Sequence, residues 1–144
     1  MKECVHYGHK KFDRKLFLPI ENYGLFPKPR GGLWASRVDA KFGWKDWCER
    51  EKFKQCDDAE SFKFHLLEDA NVIVINSVDD LKKLPIQKSV FETLFFVLDF
   101  EKMLSDGVDA IEVNISSDWD LYMALLGWDC DSILVMNPDI VKTE

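Results

Sequence analysis

No run of about eighteen apolar residues occurs in this chain, so no membrane-crossing helix is expected. The opening Met1-Lys2-Glu3-Cys4-Val5-His6 lacks the apolar core of a secretory leader, and a cytoplasmic location is the expectation. The four cysteines, Cys4, Cys48, Cys56 and Cys130, form no C-x-x-C pair, which predicts free thiols in a reducing compartment. Cys48, Cys56 and a histidine would be a zinc set, but their spacing matches no standard zinc module. Positive charge is in short supply: 19 Lys and Arg face 26 Asp and Glu, for a net charge of −7. Such a chain is repelled by phosphate backbones, which disfavours nucleic acid and anionic membranes as partners. The phosphate-binding G-x-x-x-x-G-K, the dinucleotide G-x-G-x-x-G, the zinc-protease H-E-x-x-H and the esterase G-x-S-x-G are all missing. Internal repeats and low-complexity segments are missing as well.

Apolar and aromatic residues are plentiful. Of 144 residues, 47% are hydrophobic and 13% aromatic, ample for one packed core, and residues 1–144 are expected to form a single domain. Glu3 to Gly8 reads as a first strand. Lys10 to Gly31 is broken by Pro19, Gly24, Pro27, Pro29 and Gly31, which predicts an ordered, irregular loop with the character of a lid or binding loop. Its Leu16, Phe17, Leu18, Ile20, Leu25 and Phe26 are read as tucking onto the core. Gly32 to Ser36 is a second short strand. A helix over Lys41 to Phe53 follows, capped by Asp39 or Ser36. Ser61 to Leu67 alternates Phe62, Phe64 and Leu66 against Lys63 and His65, a half-buried strand. Val72-Ile73-Val74-Ile75 is a continuous apolar run, expected to be a strand covered on both sides.

Ser77 and Asp80 form a capping-box pattern for a short helix to Leu84, ended by Pro85. From Gln87 to Leu104 the spacing of Val90, Leu94, Val97 and Leu98 is helical, with Asp99 as a break point. Gly107 stands where a left-handed cap belongs. Val108 to Ile115 is a strand, Asp118 caps a helix through Leu126, and Ser132 to Met136 is the last strand before Asn137-Pro138. Six short strands with helices between them, joined by short connections, predict an α+β fold with a mostly antiparallel, split β-sheet.

Three clusters carry candidate chemistry. His6, Tyr7, Gly8 and His9 put two imidazoles at a strand end, where they can exchange protons or bind a ligand; surface histidines explain them as simply. Trp34, Trp44 and Trp47 can frame a groove for a planar ring, or fill a core. Asp109, Glu112, Asp129 and Asp131 gather carboxylates near the last strand, where two of them can hold a ligand hydroxyl, or lie in a solvated turn. Cys130 has no base near it in sequence.

Three segments, in order, resemble motifs of the ADP-ribosyltransferase fold, in its small bacterial, phage and diphtheria-toxin-like branches. Val5-His6-Tyr7-Gly8-His9 resembles a first-strand Tyr-His-Gly-Thr type sequence. Gly32-Leu33-Trp34-Ala35-Ser36 is similar to a second-strand Gly-Leu-Tyr-Phe-Ser type sequence. Ser132 to Ile140 resembles a closing strand that ends in Asn-Pro-Asp-x-Ile. The resemblance implies a split-sheet cleft binding NAD as cofactor, with His6, Tyr7, Gly8, His9, Gly32, Leu33, Trp34, Ser36 and Trp44 around the nucleotide. It implies Gly8 hydrogen-bonding the nicotinamide amide, Trp34 in place of a stacking tyrosine, and His6 or His9 near the adenosine ribose. It also implies cleavage of the nicotinamide–ribose bond through an oxocarbenium-like state and transfer of ADP-ribose to a macromolecular acceptor. The position of the family's glutamate falls on Ser132, which leaves Asp131 or Glu112 as the substitute carboxylate. The alternative on the same fold is a non-enzymatic binding or inhibitor protein with a protein partner, for example phage-encoded and acting on a host protein. A hydrolase built on Cys130 is a third reading.

Overall fold

The computed structural model describes residues 3–24, 26–53, 56–87 and 96–143. Strand β1 (Glu3–Tyr7) is followed by a loop with one 3-10 turn at Arg14–Leu16, then β2 (Leu33–Arg37) and helix α1 (Trp44–Glu51). Next come β3 (Ser61–Leu66), β4 (Val72–Ile75), the one-turn helix α2 (Val78–Leu81), α3 (Phe100–Ser105) and β5 (Ala110–Val113). The chain continues through α4 (Trp119–Ala124), β6 (Ser132–Val135), a 3-10 turn at Pro138–Ile140 and β7 (Val141–Lys142). The fold is α+β around one mixed seven-stranded sheet of order β4-β5-β6-β2-β1-β3-β7. The pair β4–β5 is parallel and the other neighbours are antiparallel.

Alternation along the strands sorts side chains into two cores, one per face. On the first face Ile75, Ile111, Val113, Leu134 and Met136 pack with Leu121, Leu125 and Trp128 under the helices. On the second, Cys4, Ala35, Phe64, Ala110, Ile133, Val135 and Ile140 form a smaller cluster. Trp34 belongs to the first face and its neighbour Ala35 to the second. Helix boundaries follow local chemistry: Asp99 caps α3 by accepting from Lys102 N at 3.0 Å, and Asp118 caps α4 by accepting from Leu121 N at 3.1 Å. Gly107 and Gly127 close those helices at φ +96 and +100.

Several expectations are corrected. There is a seventh strand, β7, because the chain turns back after Pro138 and pairs with β3. The apolar run of β4 is not covered on both sides. Among the described residues it is an edge strand paired with β5 alone, and Val74 is 44% exposed. The cap of α1 is neither Asp39 nor Ser36 but Gly43, whose amide donates to Asp46 at 3.0 Å. Ser36 still serves this helix from the neighbouring strand, since its hydroxyl accepts from Trp44 N at 2.9 Å. Val97 and Leu98 are not helical; Leu98 bridges Ile86 in extended form and the helix starts only after Asp99. The loop residues Leu16 and Leu18 are exposed rather than tucked in, while Ile20 is buried. The helical reading of Val90 and Leu94, and the packing of Leu25, lie outside the described residues.

The loop between β1 and β2 is irregular but well tethered. Asn22 clamps the start of α3: its amide nitrogen donates to Asp99 and its Oδ1 accepts from Phe100 N at 2.9 Å. Trp128 Nε1 donates to Pro27 O at 3.2 Å, and Glu21 and Arg30 exchange both backbone hydrogen bonds at 2.9 Å. At its end the chain needs glycine twice. Gly31 sits at φ +78, where a Cβ would stand 2.1 Å from Pro19 O, and Gly32 at φ +72, where it would stand 2.6 Å from Leu134 Cδ1. These two close approaches fix where β2 begins, and so where Trp34 points.

Candidate functional site

Strands β1 and β2 share only two register pairs, Cys4↔Arg37 and Val5↔Ser36. Beyond them the partners part: His6 and Tyr7 pair with β3, while Leu33 and Trp34 pair with β6. His6 stands in the gap and ties it, its Nδ1 lying 2.7 Å from Trp34 O. Its Nε2 lies 3.0 Å from His9 Nδ1, and the two rings stack. Burial pushes the His6 pKa down; the Trp34 carbonyl opposes this and His9 adds to it.

On one side of this gap is a cavity of about 360 Å³, walled by His6, Tyr7, Trp34, Trp44, Trp47 and Lys28, with Cys48 and Cys56 also lining it. Three tryptophans reach it from two elements. Trp34 comes from β2, and Trp44 and Trp47 from the first turn of α1. They meet edge to face, Trp34 on Trp44 at 6.3 Å and Trp44 on Trp47 at 6.2 Å between ring centroids. Trp34 is held from behind by Trp128 at 4.8 Å and by its own Nε1, which donates to Gly31 O at 3.2 Å. Trp44 Nε1 is buried and has no hydrogen-bond partner. Lys28 reaches in from the loop, its ammonium 4.7 Å from the Trp34 ring and 4.9 Å from the Trp44 ring. Burial pushes its pKa down, and Asp129 acts against that through space. Burial, together with the neighbouring Cys48 thiol, pushes Cys56 up to about 12.

On the other side of His6 a smaller cavity of about 90 Å³ is lined by His6, His9, Gly32 and Leu33, with Phe12, Phe17 and Phe62 among its apolar walls. A third cavity, about 300 Å³, is polar, and Arg37, Asp39, Lys41, Glu112, Asn114 and Asp131 line it. It takes Arg37 from the face of β2 opposite Trp34, since the two positions are three apart. Glu112 is forked on Arg37, with Nη2 to Oε2 at 3.1 Å and a shorter second contact from Nε to Oε1. Burial works against the Arg37 charge, and the Glu112 contacts outweigh it, so its pKa lies above the ordinary value. Asp131 is buried and fully engaged: its carboxylate accepts from Ser116 N at 2.8 Å, Ser116 Oγ at 2.6 Å and Phe42 N at 3.2 Å.

The sequence-derived residues therefore fall into three groups. His6, Tyr7, Trp34 and Trp44 meet in the aromatic cavity, and His9, Gly32 and Leu33 join His6 in the smaller one. Glu112 and Asp131 meet each other in the polar cavity, away from Trp34. Gly8 and Ser36 line none of these. The Gly8 amide donates to Glu60 O at 2.7 Å, and Ser36 is buried, its hydroxyl donating to Asp131 O at 2.9 Å. Asp109 is also structural, receiving Asn71 N at 2.8 Å and Asn137 Nδ2 at 2.9 Å. Cys130 is buried and pushed up to about 12 by that burial, so it offers no thiolate near neutral pH. Among the described residues no group of three or more His, Cys, Asp or Glu is placed to hold a metal ion, and no helix is long and apolar enough to cross a membrane.

Sequence reasoning missed Lys28 as a site residue. The available signal was its place between Pro27 and Pro29, two rigid residues that fix the direction of the chain. Compared with family models, with curated proteins and with solved structures, the chain finds no match in any of the three.

Proposed function

We propose that this chain binds NAD or a related nucleotide, with its flat ring in the cavity of Trp34, Trp44, Trp47, Tyr7 and His6. The observation that carries the reading is this aromatic cavity, at about 360 Å³ within the range of small-molecule sites. It opens beside the two segments, Val5 to His9 and Gly32 to Ser36, that resemble the ADP-ribosyltransferase motifs. The parting of β1 from β2 after two register pairs supports reading the sheet as split at this point. The ring end of the ligand sits among the indoles, and the rest of the nucleotide runs past His6 toward His9. The direct test is a titration with NAD up to about 1 mM, followed by tryptophan fluorescence, with assay of nicotinamide release. A saturable change that Trp34→Ala abolishes supports the reading; no change in the wild-type chain removes it.

A second reading, binding without transfer, is favoured by a specific observation. Among the described residues the aromatic cavity has no carboxylate in its lining, and both candidates are occupied elsewhere. On this reading NAD binds and no nicotinamide is released. The same fold also exposes apolar side chains on α4, Trp119 at 71% and Met123 one turn on. A chain that ignores NAD altogether leaves those side chains, and a protein partner, as the reading to pursue.

A further inference from the structure

We propose that Lys28 is an internal ligand of the aromatic cavity, a plug that an incoming cationic ring must displace. The inference rests on the nucleotide reading for the identity of the ring, but the plug stands on its own geometry. The Lys28 ammonium is within cation–π distance of two indoles at once, 4.7 Å from Trp34 and 4.9 Å from Trp44. It closes no ion pair among the described residues, and Asp129 acts on it only through space. The rings are therefore its main partners. A pair of indoles that holds an ammonium will hold any cation of suitable shape, because the attraction is to the negative faces of the rings and not to hydrogen bonds.

The cavity also has space that Lys28 does not use. About 360 Å³ is many times the size of an ammonium group. The Trp44 Nε1 is buried with no hydrogen-bond partner among the described residues, so the hold on a ligand comes from the ring faces. A planar pyridinium supplies the charge that those faces attract, and an uncharged ring of the same shape has no cationic attraction to replace that of Lys28.

The plug is built to move at the side chain and not at the backbone. Pro27 and Pro29 are buried on either side of Lys28, and Pro27 O accepts from Trp128 Nε1. Each proline has its φ fixed, and a residue before proline is confined to extended backbone. The four-carbon stem of Lys28 is left as the free element, and rotation about it carries the ammonium to solvent. The apparent affinity of the site is then the intrinsic affinity multiplied by the fraction of time that Lys28 is out.

The test uses the full chain, its Lys28→Met variant and a Lys28→Arg variant that keeps the charge. Each is titrated by tryptophan fluorescence with 1-methylnicotinamide, a ring cation, with uncharged nicotinamide, and with NAD. Lys28→Met is expected to bind 1-methylnicotinamide about fivefold to tenfold more tightly than the wild type, and Lys28→Arg to bind it as the wild type does. Wild-type chain is expected to prefer 1-methylnicotinamide over nicotinamide. An affinity of Lys28→Met equal to or weaker than wild type, with Lys28→Arg folded and unchanged, overturns the plug. If NAD still binds in that case, the nucleotide reading survives alone. If Lys28→Met binds 1-methylnicotinamide more tightly than the wild type and no chain binds NAD, the plug stands and the nucleotide reading falls. Absence of all binding to all three chains overturns both.

Discussion

The aromatic cavity and the polar cavity lie on opposite sides of β2, three residues apart, and they treat their polar groups in opposite ways. In the polar cavity Arg37 and Glu112 satisfy each other as a fork, and the Asp131 carboxylate holds three donors. In the aromatic cavity a lysine rests on rings and an indole N–H is buried without a partner. Satisfied polar groups cost little to bury and are expensive to disturb; unsatisfied ones are the reverse. The contacts of the first cavity are architectural, and the proposed binding falls to the second, although the first holds the more conspicuous carboxylates.

The largest effect is expected in the polar cavity. Glu112→Gln leaves the Arg37 guanidinium largely buried without its counter-charge, and a loss of about 3 kcal/mol is expected in urea unfolding. Replacing both partners, Arg37→Met with Glu112→Met, should recover most of that loss, since a well-packed apolar pair of similar volume is close to neutral. Ligand binding by the double variant should match the wild type. If Glu112→Gln unfolds like the wild type but loses nicotinamide release, Glu112 acts on substrate and the division between the cavities is wrong.

A milder probe compares two tryptophans of similar size. Trp128 is buried and its Nε1 donates to Pro27 O, while Trp44 Nε1 donates to nothing. Trp128→Phe loses a hydrogen bond and core volume and should cost about 2 kcal/mol. Trp44→Phe removes an unsatisfied donor and should change stability by less than about 0.5 kcal/mol. The same Trp44→Phe should weaken binding of a cationic ring, because phenylalanine presents a smaller ring face to the charge. Equal losses of stability from the two substitutions would show that the Trp44 site is ordinary core.

Much of the fold was legible because local rules suffice for it. The alternation of Phe62, Phe64 and Leu66 marks β3, the positive-φ glycines Gly107 and Gly127 end helices, and Asp99 and Asp118 cap them. What was not legible depends on which strand lies beside which. The run Val72 to Ile75 reads as central by composition, and only the sheet order puts it at the edge. Glu112 and Asp131 read as free carboxylates because Arg37, 75 residues away from Glu112, and the Ser116 and Phe42 amides are invisible as partners in the sequence. The aromatic half of the site was legible, since the Gly31-Gly32 turn fixes β2 and Trp44 opens α1. Lys28 was not, because its partners are ring faces contributed by two other elements.

The finest test concerns His6, which borders both the aromatic cavity and the smaller one beside it. Burial lowers its pKa below the ordinary histidine value, the hydrogen bond to Trp34 O opposes that, and His9 at 3.0 Å reinforces it. A histidine whose pKa falls on folding binds its proton more tightly in the unfolded chain. Its contribution is therefore complete above the unfolded value of about 6.5 and declines as the pH drops through that value toward the folded one. The interval that brackets the ordinary histidine value runs from about pH 7.5 to about pH 5.5. The urea midpoint of the wild type should fall over this interval, and that of His6→Asn should fall less. The consequence for the site has the same sign. Protonated His6 adds a positive charge at the gap between β1 and β2, and a cationic ring should bind more weakly at pH 5.5 than at pH 7.5. His6→Asn should remove most of that difference while keeping a polar group opposite Trp34 O. A pH dependence that survives His6→Asn unchanged would show that the titrating group is not His6.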